Sequence, residues 1–327
     1  MEYRLLGRTG VRVSQLCFGT MTFGGDADEE TSAALYRRCR EAGINFFDCA
    51  NIYNGGKSEE LLGRFVKGHR QEVILTSKVY FPPNQDVNAR GATRRNIMLN
   101  VEESLRRLGT DYLDVYFIHR FDELTPLEET LRALDDLVQA GKVLYLGASN
   151  FAAWQIAKAL GISARYGWSP FAVIQPMYNL VKRQAEVEIL PLALSEGLGV
   201  IPYSPLGAGL LTGKYGVTSR PEQGRLVEHP IYKVRYGDEW MYEVAERFVH
   251  FARERGYSPA ALAVAWVGSH PAVTAPIIGA RNLAQLEESL LSLQIQMTPE
   301  LRAEISSLSP EPPPATDRTE EARGKGM

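Results

Sequence analysis

The chain has 327 residues, 45% hydrophobic and 23% charged, with a formal net charge of −3. That balance suits a soluble globular protein with a sizeable core and offers no electrostatic case for a nucleic-acid or membrane-surface binder. Three cysteines, Cys17, Cys39 and Cys49, lack CxxC spacing, which argues against a disulfide scaffold or zinc site and suggests a reducing, cytoplasmic setting; no signal-peptide-like start or membrane-length apolar run is present.

Residues 3–6 and 11–14 flank Gly7-Arg8-Thr9-Gly10 and read as a β-hairpin. Leu16 to Thr20 reads as a short strand and Asp28 to Glu41 as a helix. Ile44 to Phe47 is a buried strand closing on Asp48, and Tyr53 follows in an Asn/Gly-rich loop. Ser58 reads as the N-cap of a helix reaching Lys67. Strand Val73–Val79 ends in Ser77, Lys78 and Val79, and a helix is expected from about Arg94 to Leu108. Strand Leu113–Ile118 runs directly into His119. A helix over Leu127–Ala140 and a strand over Val143–Gly147 lead to Ala148, Ser149 and Asn150. A helix over Phe151–Leu160, a strand over Ala172–Gln175, a helix over Val187–Glu196 and a strand over Gly199–Tyr203 follow. A Gly-rich loop is expected over 204–237, then helices Glu239–Glu254 and Pro259–Gly268, strand Thr274–Ile278 and helix Leu283–Leu291.

Strand–helix alternation with eight strands after the hairpin predicts an α/β fold with a parallel sheet closed into a (β/α)8 TIM barrel. The expected barrel carries an N-terminal β-hairpin and a long loop after its seventh strand. Residues 1–308 should form one domain, and 309–327, opening with PEPPP, a surface or disordered tail. An open doubly wound sheet would carry a glycine fingerprint at its first turn, and none is present. Gly55-Gly56-Lys57-Ser58 fails as a P-loop because Asn51 replaces the first glycine. Gly207-Ala208-Gly209 through Gly213 has GxGxxxG spacing late in the chain, not a dinucleotide fingerprint. The five histidines have no metal-ligand spacing, so no metal is expected.

In such barrels the C-terminal strand ends converge on the functional face. The polar residues there are Asp48, Lys78, His119, Ser149, Asn150, Gln175, Tyr203 and Arg281, with Tyr53 in the second βα loop. Individually each has an ordinary reading as a turn residue, a solvated charge or a structural histidine; their joint occurrence is what singles them out.

With those positions in hand, the chain resembles the aldo-keto reductase superfamily from the hairpin to about Leu291. The resemblance rests on GINFFDCANIYNGGKSEELLG from Gly43 to Gly63, on LTSKV and YFIHR, and on GKVLYLGASNF from Gly141 to Phe151. IPYSPLGAGLLTGKY and PIIGARNLAQLEESL look more like the branch of bacterial YSPL-type reductases and potassium-channel β subunits. The resemblance implies reversible, NADPH-dependent reduction of aldehydes or ketones, with Asp48, Tyr53, Lys78 and His119 catalytic. Tyr53 would be the general acid, with Lys78 lowering its pKa. Asp48 would hold Lys78, and His119 would orient the carbonyl.

The same resemblance implies the cofactor residues. Ser149, Asn150 and Gln175 would hold the nicotinamide carboxamide, and Tyr203 would stack on its ring. Ser204, Pro205, Leu206, Gly207, Ala208 and Gly209, with Lys214 and Arg225, would meet the pyrophosphate. Gly279, Arg281, Gln285 and Glu288 would surround the adenosine, and Thr20, Met21 and Asp48 complete the set. No acid suited to a ribose 2′-hydroxyl is evident beside Arg281, so NADP is expected over NAD. Phe81, Pro82, Phe121, Trp154, Tyr178 and Trp240 are candidate pocket walls. Simple aldehydes, dicarbonyls, ketones and sugar-derived or polyketide carbonyls all fit, and the oligomeric state is open. The channel-β resemblance also allows a cofactor-binding regulatory subunit with little turnover.

Overall fold

A computed structural model describes residues 1–218, 221–222 and 224–318. Strands β1 (Tyr3–Leu5) and β2 (Arg12–Ser14) form an antiparallel hairpin. Eight parallel strands follow: β3 (Cys17–Gly19), β4 (Phe46–Asp48), β5 (Ile74–Val79), β6 (Leu113–Ile118), β7 (Val143–Ser149), β8 (Phe171–Gln175), β9 (Gly199–Val200) and β10 (Ile277–Ile278). Their order in the sheet is β10-β3-β4-β5-β6-β7-β8-β9. The sheet curls until its edges meet. Thr274 N–H donates to Val200 O at 2.8 Å, and Ile277 N–H donates to Pro202 O at 2.9 Å. This eight-stranded α/β arrangement is consistent with a (β/α)8 barrel, with the hairpin as a separate two-stranded sheet.

Helices alternate with the strands: α1 (Glu29–Glu41), α2 (Lys57–Val66), α3 (Arg94–Leu108), α4 (Leu127–Gln139), α5 (Ala153–Tyr166) and α6 (Ile189–Glu196). Short α7 (Arg225–Glu228) and α8 (Pro230–Arg235) precede α9 (Glu239–Glu254), α10 (Pro259–Gly268), α11 (Leu283–Leu290) and α12 (Pro299–Ser306). Caps explain several starts: Asp28, Thr93 and Ser258 each accept a backbone N–H of the first turn. In α4, Leu127, Leu131, Leu134 and Leu137 recur at helical spacing and are buried, the stripe that docks on the sheet.

Two apolar cores result. Leu6 and Val13 of the hairpin join Cys17, Phe46, Val115, Phe117 and Val173 in one cluster fed by alternate strand residues. The larger cluster, including Phe18, Phe47, Tyr116 and Ile118, packs the other strand faces against the helices. All six residues of β6 are buried, as expected of a parallel strand covered on both faces.

Three expectations change in kind, beyond shifts in element bounds. Ser58 is not an N-cap: α2 starts after Gly56, and the buried Ser58 hydroxyl donates to Thr20 O at 2.8 Å. The segment expected as loop 204–237 contains a 3-10 turn over Gly207–Thr212 as well as α7 and α8; residues 219, 220 and 223 lie outside the described set. Helix α12 has no counterpart in the sequence reading. In the expected tail, 310–318 has no helix or strand, and 319–327 lies outside the described residues.

Candidate active site

Parallel strands place consecutive C-terminal ends side by side, and the polar residues follow. Asp48 ends β4, Lys78 is the penultimate residue of β5, Ser149 ends β7 and Gln175 ends β8; His119 directly follows β6. Tyr53 begins a 3-10 turn that runs from Tyr53 to Gly56. Lys78 is fully buried. Its Nζ lies 2.6 Å from Asp48 Oδ2, 2.7 Å from Cys49 O and 3.2 Å from the Tyr53 hydroxyl. Asp48 is held from its other side too: Oδ1 accepts from Thr76 Oγ1 at 2.8 Å and Gln175 Nε2 at 2.9 Å.

Burial works against the Lys78 ammonium, but Asp48, then Tyr53, raise its pKa above the ordinary lysine value. Tyr53 is pushed up to about 12, chiefly by burial, with the Lys78 charge pulling the other way. The expectation of a lowered tyrosine pKa is therefore reversed in net direction, because desolvation of the phenolate outweighs one already paired ammonium. The His119 and Tyr53 rings meet edge to face at 6.2 Å. Burial, reinforced by Lys78, takes the His119 pKa well below its usual value, so the ring is neutral around pH 7. Its buried Nδ1 has no hydrogen-bond partner among the described residues.

These groups border a cavity of about 810 Å³. Tyr53, His119 and Phe81 share its wall with Ser149, Asn150, Gln175 and Tyr203. Asn150, in left-handed backbone geometry, donates to His119 O and Ser149 Oγ and accepts from the Tyr203 hydroxyl at 2.7 Å. The cavity continues past Ser204 to Leu206, Ala208 and Gly209 toward Gly279, Arg281 and Gln285. Ala208 and Gly209 both have positive φ, which turns the backbone tightly along the cavity.

A family model described as the aldo/keto reductase family matches residues 15–310. The chain belongs to the aldo/keto reductase family. It is 38% identical to an uncharacterized oxidoreductase, YrpG, of Bacillus subtilis, over 95% of this chain and 97% of the relative. It is 37% identical to a probable voltage-gated potassium channel subunit beta of Oryza sativa subsp. japonica, over 97% and 99%. It is 34% identical to a versiconal hemiacetal acetate reductase of Aspergillus parasiticus, over 92% and 94%.

Within this aldo/keto reductase, Met21, Pro205, Lys214, Arg225 and Glu288 also line the cavity. Thr20, Gly207 and Lys78 are set back from it. Thr20 sits behind the site, where its N–H and hydroxyl donate to Asp48 O. The amides of Gly207 and Gly209 close turns onto Ser204 O and Leu206 O, so they are not free for an anion. Beside Arg281 the structure corrects the sequence reading: Asp26 Oδ2 lies 3.0 Å from Arg281 Nε, across 255 residues of sequence.

Of the wall candidates only Phe81 reaches the cavity. Tyr178 is fully buried on Trp266 with its hydroxyl on Glu186, Trp154 is an exposed partner of Phe121, and Pro82, Phe121 and Trp240 lie outside the lining. Sequence reasoning missed Thr76, Ile52, Arg120, Tyr232 and Arg235. Thr76 had a signal: it lies two residues before Lys78, hence on the same strand face. The described residues contain no cluster able to hold a metal and no helix long and apolar enough to cross a membrane.

Proposed function

We propose that this chain is an NADPH-dependent oxidoreductase that reversibly reduces aldehydes or ketones to alcohols, with Tyr53 as general acid and base. The proposal places it in the cytoplasm as one closed (β/α)8 barrel over residues 1–308, acting on a small-molecule carbonyl or alcohol. The observation that carries it is the Lys78 ammonium, 2.6 Å from Asp48 and 3.2 Å from the Tyr53 hydroxyl, behind the wall of an 810 Å³ cavity.

The residues present fit a dinucleotide. The cavity lies toward the upper end of the range for small-ligand sites, about 300–1,000 Å³, and Lys214, Arg225 and Arg281 line it with the tight Ala208–Gly209 turn. Bound there, a reduced nicotinamide would supply hydride. Ser149, Asn150 and Gln175 would orient its carboxamide, Tyr203 would pack on its ring, and Arg281 would meet a 2′-phosphate.

The remaining chemistry is the chain's own. A tyrosine with pKa about 12 is protonated at neutral pH and can donate as a carbonyl oxygen gains negative charge. Lys78 then stabilises the phenolate left behind, and Asp48 keeps that ammonium charged and in place. Neutral His119 keeps an N–H for the substrate oxygen. The names of reductase relatives add support.

The test is nicotinamide absorbance followed with purified protein, NADPH and a panel of aldehydes and ketones, for wild type and Tyr53→Phe. We expect kcat to fall about 10²–10⁴-fold in the variant while NADPH affinity is kept. A variant of near-normal rate removes Tyr53 from the role. Tight nucleotide binding without turnover of any carbonyl would instead make the chain a regulatory nucleotide-binding subunit.

A further inference from the structure

Five cationic side chains line the cavity: Arg120, Lys214, Arg225, Arg235 and Arg281. The lining acids are Asp48, already paired with Lys78, and Glu288, on the helix that follows Arg281. Arg281 is paired with Asp26, and Lys214, Arg225 and Arg281 accompany the loop and strand end assigned above to the phosphates. That leaves Arg120 and Arg235. Arg120 directly follows His119, is exposed, and has no ion pair among the described residues. Arg235, at the end of α8, lies over the Tyr232 ring at 5.3 Å and also has no carboxylate partner among them. Tyr203 shares the cavity wall with it and feels its charge. Around them, Ile52, Phe81 and Ile231 give the cavity an apolar wall.

Arg120, next to His119 and without a counter-ion among the described residues, is a guanidinium free to meet an anion beside the proton-transfer site. Arg235, on the Tyr232 ring that Arg225 also faces, adds positive charge to the same cavity. We propose that the substrate is a carbonyl compound bearing a carboxylate or phosphate, its anionic group held by Arg120 with help from Arg235. This rests on the carbonyl-reduction reading above and narrows its substrate class. The cationic mouth also draws such substrates in, an effect that salt weakens.

Matched probes test it: 4-carboxybenzaldehyde against its neutral methyl ester, with NADPH, in wild type, Arg120→Gln and Arg235→Gln. Wild type is expected to prefer the carboxylate in kcat/KM by more than about tenfold, the scale of one charged hydrogen bond. Arg120→Gln should cut that ratio by about tenfold, mainly through KM of the carboxylate, and Arg235→Gln by a smaller factor. Added salt should reduce the wild-type ratio and leave that of Arg120→Gln nearly flat. A wild-type ratio at or below one, or an unchanged ratio in both variants, overturns the proposal while leaving carbonyl reduction standing. Titration calorimetry with benzoate against benzamide separates the two readings. Benzoate binding that Arg120→Gln abolishes, without turnover of either aldehyde, supports the anion site and defeats the reductase reading. Equal binding of both probes overturns the anion site.

Discussion

Asp48→Asn removes one charge from the buried pair and keeps its shape, so Thr76 and Gln175 can still donate to the side-chain oxygen. At the observed 2.6 Å the attraction between the charges is about 6 kcal/mol for an effective dielectric of about 20. Desolvation of the two ions cancels most of that, so the intact pair adds little net stability. Loss of one partner is different, because the ammonium stays buried with neutral partners but no counter-charge, at a cost of about 3–5 kcal/mol. With unfolding entropy of about 2.1 cal/mol/K per residue, this lowers Tm by roughly 4–7 °C for a chain of this length.

The pH dependence carries the sharper signature. In wild type the Lys78 pKa is raised above the ordinary 10.5. Its contribution is present in full below about pH 10.5 and is lost as pH climbs through the native pKa. Without Asp48, burial dominates and the native pKa drops below that of the unfolded chain. The unfolded state then binds the proton more tightly, and stability rises with pH, by up to about 1.4 kcal/mol per unit, until about 10.5. Both proteins share the buried thiols Cys17, Cys39 and Cys49, whose raised pKa values cost stability above about pH 9, so the signature is the difference. In urea unfolding at constant ionic strength the variant's deficit relative to wild type should shrink between about pH 7 and 10. A variant as stable as wild type with a parallel profile would refute the claim that Lys78 is desolvated and held by Asp48.

Three further outcomes follow from other contacts. Arg281 and Asp26 are about a third and a half exposed, so freeing the guanidinium by Asp26→Asn should raise the NADPH-to-NADH ratio of kcat/KM by no more than about fivefold, the ceiling for a surface pair; Arg281→Ala should lower that ratio, and an unchanged ratio in both removes Arg281 from cofactor choice. A Cβ at Gly63 would stand 2.5 Å from the Leu108 carbonyl, so Gly63→Ala should lose about 1–3 kcal/mol in urea unfolding, whereas Gly161→Ala, in α5 with open space around it, should gain about 0.5–1 kcal/mol. His119, its pKa depressed in the native state, contributes stability above about pH 6.5 that fades as pH falls; His119→Gln should have a shallower acid limb, and coincident limbs would contradict its burial as a neutral ring.

Periodicity made the barrel elements legible, and it did so where burial is one-sided or complete. The bounds of β6, α3, α9 and α10 agree with the sequence reading because each has a strong pattern and a clear stop or cap. Helix α5 runs to Tyr166, past the expected end at Leu160, since Gly161 sits on an exposed face where it weakens but does not break a helix. Helix α12 had a usable start in Thr298-Pro299-Glu300, a hydroxyl cap followed by proline at the first helical position. Pro230 likewise opens α8 inside what composition alone presents as loop. Pairings across the sheet were not legible. Asp26 meets Arg281, and Gln175 meets Asp48 across 127 residues, and nothing local to either partner announces the contact. Aromatic residues misled for the same reason: Tyr178 and Trp154 carry no local sign of whether they face a cavity, a core or solvent.

Tyr53 shows why charge arithmetic on sequence is not enough. An ammonium at 3.2 Å stabilises the phenolate, and considered alone it predicts a tyrosine more acidic than usual. The same ammonium is already engaged by Asp48 and Cys49 O, and the pocket that confines the phenol also strips it of water. The net result is a phenol harder to ionise than in solution. Each unit above 10 adds about 1.4 kcal/mol to the cost of forming its anion. The site as built therefore stores the protonated form, the form that the proposed carbonyl reduction would consume. The proposed reverse reaction, alcohol oxidation, would need the phenolate, and the only ammonium beside Tyr53 among the described residues is Lys78, whose pKa Asp48 raises. In this arrangement Asp48 acts on the Tyr53 proton through Lys78, by raising the ammonium's pKa against burial and holding it 3.2 Å from the hydroxyl.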